Sequence, residues 1–281
     1  MVNALAFTHV WIALGAVGAA SATLIAQGYA VEAWTPLTKS GIVGIGVATG
    51  CIYTLQRWIK LSKHPQSMPP ERRAFLNRSV RALATVWFTV AAGWAVGSKS
   101  LWNDYAELIT THFWMLAVLA TLALGYASNP FSGGTGWRNI PHMKWPAIAL
   151  AWGLVTGWLP FQLLAEGPQG WSLVPSILAQ TAFVAGITLP FDVRDLGIDS
   201  PRLRTVPQLA GDRATLNAAC ALVFLSCGAF WAIDATIARA AAGFAAMAGI
   251  GFAFRHRREW VFSLWLDGCL ILQGVLAFML R

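Results

Sequence analysis

The chain has 281 residues, of which 57% are hydrophobic and only 11% carry a formal charge. An ordinary soluble domain has about 25% charged residues, so this composition excludes a soluble globular protein. The net charge of +8 does not indicate a nucleic-acid partner, because the basic residues stand in short segments between apolar runs, as they do in membrane proteins.

Apolar runs recur along the whole chain with no long polar domain between them. A transmembrane helix needs about 20 such residues to cross about 30 Å of hydrocarbon. We predict a single integral membrane domain over residues 1–281, of the all-α class, built as a bundle of nine transmembrane helices. The predicted spans are about 5–29, 40–60, 79–97, 109–127, 145–164, 171–190, 213–233, 237–254 and 260–280.

The distribution of basic residues predicts the orientation of this bundle. If the N-terminus is cytoplasmic, 16 of the 20 Lys and Arg residues fall on the cytoplasmic side, and only Lys39, Lys99, Arg239 and Arg281 fall outside. The positive-inside rule favours this arrangement. The longer loops, 61–78, 128–144 and 191–212, are then all cytoplasmic. We therefore expect a multi-pass protein of a prokaryotic inner or plasma membrane, with its functional loops in the cytoplasm.

The loop after the sixth predicted span carries the clearest pattern of acidic charge. Asp192, Asp195 and Asp199 are spaced i, i+3, i+7, which places three carboxylates on one face of a helical turn. Carboxylates of this kind suit Mg²⁺, and the neighbouring Arg194 and Arg204 suit a phosphate partner. The alternative is a solvated loop in which Asp and Arg pair with one another.

This Asp-x-x-Asp-x-x-x-Asp string, followed by Arg204-Thr-Val-Pro207 and Gly211, resembles the second aspartate-rich motif of the UbiA family of membrane prenyltransferases. The stretches 137–144 and 265–273 are also similar to that family. The resemblance implies a UbiA-like fold and a transferase that binds an isoprenyl diphosphate through Mg²⁺ and passes the prenyl group to an acceptor. By the same resemblance, Asp192, Asp195 and Asp199 would be the catalytic Mg²⁺ ligands, and Arg194 and Arg204 would contact phosphate.

The other aspartate-rich motif of the family is missing from this chain. Its place at the end of the second span is taken by the stretch 51–61, and no carboxylate occurs between Glu32 and Glu71. Two interpretations follow. In the first, Arg57 and Lys60 neutralise a diphosphate directly, as fixed cations. In the second, Arg57 pairs with Asp192 or Asp195, and the protein binds a lipid, an isoprenoid or a protein partner without chemistry.

Two polar residues inside predicted spans are further candidates for substrate binding. Asp267 lies in the ninth span and Asn217 in the seventh, and ionisable or polar groups within a membrane frequently serve function. A helix-packing hydrogen bond is the alternative interpretation of Asp267. Two other classes are disfavoured. A retinal photoreceptor needs a lysine amine for its Schiff base, and no predicted span after Lys144, the last lysine, supplies one. A secondary transporter should show internal repeats, and this sequence shows none.

Overall fold

The computed structural model describes residues 7–63, 65–126, 136–168, 170–234, 237–256 and 258–280. The start of the predicted span 5–29, the end of the span 109–127, the loop residues 127–135, Arg257 and Arg281 lie outside this part of the chain. Within it, every regular element is a helix and none is a strand. The predicted all-α class is therefore confirmed for the described residues.

Eleven α-helices follow one another along the described chain, with short 3₁₀ turns between several of them. They are α1 Val10–Ala26, α2 Pro36–Lys63, α3 Pro70–Gly97, α4 Trp102–Thr111, α5 Phe113–Gly125, α6 Lys144–Gly157, α7 Leu159–Gln162, α8 Val174–Arg194, α9 Val206–Asp234, α10 Ile237–Arg255 and α11 Asp267–Met279. A π-helical segment, Val261–Leu266, leads directly into α11.

Six helical segments of the described chain are long and apolar enough to cross a membrane: α2, α3, α8, α9, α10 and the π segment with α11. The pair α4 and α5 makes a seventh span if it is counted as one. The apolar helix α1 has 17 residues, which is about 26 Å at 1.5 Å per residue. The protein is thus a multi-pass helical membrane protein, and the count of nine transmembrane helices stays a prediction.

Two predicted spans are interrupted in the structure. The helices that overlap 109–127 meet at His112 with a bend of 89°. The span 145–164 is divided into α6 and α7 by a break at Trp158, two residues before Pro160. Proline has no backbone N–H and cannot complete the hydrogen bond to the preceding turn, which explains the second break.

The helices pack around α8, which lies between α6 and α9, while α1 packs against α2 and α11. The contact of α1 with α11 is made by two glycines. A Cβ on Gly18 would lie 2.7 Å from the Leu270 carbonyl oxygen, and a Cβ on Gly274 would lie 2.6 Å from the Gly18 Cα. Small residues allow such close approach of helices in membranes, and this approach holds the Asp267 end of α11 against the bundle.

Candidate functional site

The three predicted aspartates lie at the end of the central helix. Asp192 belongs to the last turn of α8, and Asp195 begins a 3₁₀ turn that follows it directly. The Asp199 amide donates a hydrogen bond of 2.8 Å to the Asp195 carbonyl oxygen, so the chain continues to wind beyond the helix. This winding keeps the three carboxylates on one side, as their spacing predicts.

All three carboxylates contact one lysine that the sequence analysis did not assign to the site. The Lys144 Nζ lies 2.8 Å from Asp192 Oδ1 and 3.8 Å from Asp195 Oδ2, and it forms an ion pair and a hydrogen bond with Asp199 Oδ2. Lys144 is the first residue of α6 and is buried. Burial alone lowers the pKa of Lys144, but Asp192 and Asp199 outweigh it and raise that pKa above its usual value. The ammonium is therefore charged at neutral pH.

Two arginines complete the neutralisation of the aspartates. The Arg194 Nε donates a hydrogen bond of 2.8 Å to Asp195 Oδ1, and an Arg138 nitrogen lies 3.9 Å from Asp199 Oδ1. Three carboxylates are thus matched by three cations. Asp192 differs from the other two: its Oδ1 is at ion-pair distance from Lys144, yet both of its oxygens lack a hydrogen-bond partner within the described residues.

Glu259, just before the π segment, joins the aspartate loop to the start of α3. One Arg194 nitrogen lies 3.0 Å from Glu259 Oε2, and Arg72 on α3 forms an ion pair and a hydrogen bond with the other Glu259 oxygen. Sequence reasoning missed both Arg72 and Glu259, which are separated by 187 residues. The only sequence signal was an isolated acidic residue beside a cluster of arginines.

Arg57 and Lys60 lie one turn apart on α2 and face the same cavity. Lys60 is only 7% exposed. Within the described part of the chain, neither residue forms an ion pair, so the predicted contact of Arg57 with Asp192 or Asp195 is not observed there. Lys144 makes that contact instead.

The cavity has a volume of about 640 Å³, within the range of about 300–1,000 Å³ that is usual for small-molecule sites. Apolar side chains from several helices line most of it, among them Ile45, Ile52, Leu116, Leu119 and Val155. Charged side chains line its other end. They comprise six cations and three acids: Arg57, Lys60, Arg72, Arg138, Lys144 and Arg194, with Asp192, Asp195 and Asp267. This lining fits an amphiphile with an anionic head.

The remaining predicted residues lie elsewhere. Arg204 is exposed and has a left-handed backbone, with φ of 47°, after the short 3₁₀ turn that leads the chain toward α9. Asn217 is exposed on α9. Neither lines the cavity, whereas Asp267 does, and Asp199 is buried behind Lys144. The structure therefore brings together Arg57, Lys60, Arg194, Asp267 and the aspartates, but not Arg204 or Asn217.

The residues present at the aspartate cluster do not fit a divalent cation while Lys144 lies among them. No group of three or more His, Cys, Asp or Glu side chains in the described ranges is arranged to hold a metal ion. Mg²⁺ binds carboxylate oxygens at about 2.1 Å, and the Lys144 ammonium already occupies the space between Asp192 and Asp199. The Mg²⁺ role that the resemblance implies stays a prediction.

Comparison of the chain with protein-family models, with curated proteins and with solved structures finds no match. Membership of the UbiA family stays a prediction that rests on the residues quoted above.

Proposed function

We propose that this chain is a UbiA-like integral membrane protein that binds an isoprenyl diphosphate in its cavity and transfers the prenyl group to an acceptor. The observation that carries the proposal is the pair Arg57 and Lys60, two cations without a carboxylate partner in the described chain, at the polar end of an otherwise apolar cavity. The diphosphate would contact these two cations, and the prenyl chain would lie among the apolar side chains.

Burial of an unpaired cation is unfavourable, because the protein does not replace the water that the charge loses. Lys60 is buried and Arg57 is half-buried. The nearby aspartates compensate for them only in part, since those carboxylates are in contact with Lys144, Arg138 and Arg194. A ligand that brings two or more negative charges would supply the missing partner, and a diphosphate does so.

The same cations suit the chemistry of prenyl transfer. When the allylic C–O bond breaks, its electron pair goes to the diphosphate oxygen and leaves a carbocation on the prenyl chain. Arg57 and Lys60 would stabilise the diphosphate as it gains charge, and the cavity aromatics Tyr53, Tyr126 and Trp152 would stabilise the carbocation through cation–π contacts. The acceptor then forms a bond to that carbon and releases a proton.

A second candidate is a lipid-binding protein without catalysis. It is favoured by the contact of Lys144 with all three aspartates, because a site without a bound metal lacks a Lewis acid worth several kcal/mol of transition-state stabilisation. The two candidates share the same ligand and differ in whether the C–O bond ionises.

Binding of geranylgeranyl diphosphate to the purified protein in detergent is measured by calorimetry, with and without Mg²⁺. We expect binding by the wild type and a loss of about tenfold or more in affinity for Arg57→Met and for Lys60→Met, since a hydrogen bond to a charged group contributes about 1.5–3 kcal/mol. Lys39→Met is the control, because Lys39 is exposed at the far end of the same helix. No binding by the wild type would overturn the proposal.

Catalysis is tested without knowledge of the acceptor, by positional isotope exchange. Geranylgeranyl diphosphate labelled with heavy oxygen at the bridging position is incubated with the protein, and the label is followed by nuclear magnetic resonance. Reversible ionisation moves the label to a non-bridging position and supports the transferase. Tight binding with no exchange, with or without Mg²⁺, supports the lipid-binding protein instead.

A further inference from the structure

We propose that Lys144 is a tethered counter-cation that occupies the place of a metal ion in the aspartate cluster and excludes divalent metals from it. The inference deepens the proposed function, because it means that protein side chains alone, without a metal ion, bind the anionic ligand. Lys144 is a positioning residue here: it holds the aspartates in place and leaves Arg57 and Lys60 for the ligand.

The geometry of the cluster is the first support. Three carboxylates from one helix end and its following turn converge on a single nitrogen atom. The Lys144 ammonium donates a hydrogen bond to Asp199 and lies at ion-pair distance from Asp192 and Asp195. Asp192 and Asp199 are carboxylates that would hold a metal ion, and the Lys144 Nζ lies between them.

The balance of charge is the second support. Lys144, Arg138 and Arg194 together neutralise Asp192, Asp195 and Asp199. A divalent cation added to this buried, neutral group would leave two uncompensated positive charges, which is costly in a poorly solvated place. Metal binding would therefore require Lys144 to leave the cluster.

The backbone before Lys144 holds it in position, and this is the third support. The His142 amide donates a hydrogen bond of 3.1 Å to the carbonyl oxygen of Leu203, four residues beyond Asp199. His142 has a left-handed backbone with φ of 65°, a conformation that residues other than glycine seldom adopt. The segment that carries Lys144 is thus fixed to the loop that carries the aspartates, and α6 begins at the lysine itself.

The proposal is tested by Mn²⁺ binding to the full-length protein in detergent, measured by electron paramagnetic resonance without any lipid ligand. We expect no Mn²⁺ site at the cluster of the wild type. Lys144→Met removes the ammonium and exposes the carboxylates, so we expect it to bind Mn²⁺ with an affinity about tenfold or more above that of the wild type. The double variant Lys144→Met, Asp199→Asn should lose this gain.

Either of two results would overturn the proposal: Mn²⁺ binding by the wild type that Asp199→Asn abolishes, or the absence of a gain in a folded Lys144→Met. If Lys144→Met fails to fold, the measurement on the wild type can still overturn the proposal. Because no lipid is present, the outcome is independent of the proposed function. A failure of geranylgeranyl diphosphate to bind would overturn that function and leave the Mn²⁺ result as it stands.

Discussion

Under the proposed function, Arg57 and Lys60 destabilise the ligand-free protein and strengthen the binding of the ligand. Each places a basic group at a cavity wall, and among the described residues no carboxylate forms an ion pair with it. A buried charge without a partner destabilises the folded state. Ionisable groups in such surroundings cluster at functional sites. Stability and binding should therefore respond in opposite directions when either residue is replaced.

For Lys60→Met we expect a higher thermal unfolding midpoint in the absence of ligand, with a gain of about 1 kcal/mol or more. The reason is that methionine fills a similar volume without a buried charge. The midpoint is followed by circular dichroism in detergent, beside the exposed control Lys39→Met, for which no change is expected. A lower midpoint for Lys60→Met would show that the lysine stabilises the ligand-free fold, contrary to this prediction.

Glu259 contacts two arginines that belong to different elements, Arg72 on α3 and Arg194 on α8. Replacement by Gln removes the negative charge, which leaves the buried Arg72 without a carboxylate partner among the described residues, whereas Arg194 keeps Asp195. Breaking a buried pair in this way costs about 3–5 kcal/mol, so we expect Glu259→Gln to lower the unfolding midpoint strongly. Glu107→Gln, at an exposed position of α4, serves as the control. Equal midpoints for the two variants would contradict the structural role of Glu259.

Spacing along the sequence predicts the geometry of those site residues whose neighbours are close along the chain. The common face of Asp192, Asp195 and Asp199 follows from helical spacing. Lys144 and Glu259 were missed because their contacts join residues 55 and 187 positions from their partners, and only the packing of the helices brings them together. Arg204, by contrast, is part of the motif that carries the resemblance, but it is exposed and does not line the cavity.

At the scale of elements, apolar runs predict where helices lie but not where they break. The helix α4 contains Asn103, Asp104 and Glu107, all exposed, and such polar residues disfavour the hydrocarbon core. The apolar stretch starts again at Phe113, after the bend at His112. The predicted span 109–127 therefore begins inside α4 and includes the bend and α5.

The contact of α1 with α11 depends on the absence of side chains at Gly18 and Gly274. We expect Gly18→Ala to lower the unfolding midpoint, by about 1–3 kcal/mol of overpacking, because its Cβ would meet the backbone of Leu270 and Ile271, which cannot move aside as a side chain can. Gly251→Ala on α10 is the matched control, since nothing lies within 4 Å of its added Cβ. Its midpoint should stay equal or rise slightly, as alanine favours a helix over glycine.

The experiment uses thermal or detergent-induced unfolding of both variants in parallel. A midpoint for Gly18→Ala that equals that of Gly251→Ala would mean that α1 and α11 are not in close contact, and the position of Asp267 at the cavity would lose its structural basis.

At the scale of the whole molecule, the distribution of basic residues and the cavity agree. The six cations that line the cavity come from the end of α2, the start of α3, the segment before α6 with its first residue, and the end of α8. Sequence reasoning assigned all these segments to one side of the membrane. Their convergence at one end of one cavity supports the prediction that these segments lie on the same side of the membrane. Whether that side is cytoplasmic or external stays a prediction.

The side is tested by thiol labelling in intact cells. Lys99 and Arg202 are both exposed and lie in connections that the predicted topology places on opposite sides, external and cytoplasmic respectively. In a background without Cys51, Cys220, Cys227 and Cys269, a membrane-impermeant maleimide should label Lys99→Cys in intact cells. It should label Arg202→Cys only after the cells are opened, because a charged reagent does not cross the hydrocarbon core.

Each labelling pattern bears on the charged end of the cavity. The reverse pattern would place Arg57, Lys60 and the aspartates at the external face, where the positive-inside rule disfavours so many cations. Labelling of both variants in intact cells would put the two connections on one side and would contradict the three crossings that the sequence predicts between Lys99 and Arg202. Only the predicted pattern lets a cytoplasmic diphosphate reach Arg57 and Lys60 without crossing the membrane, since transfer of its charges through hydrocarbon would cost many kcal/mol.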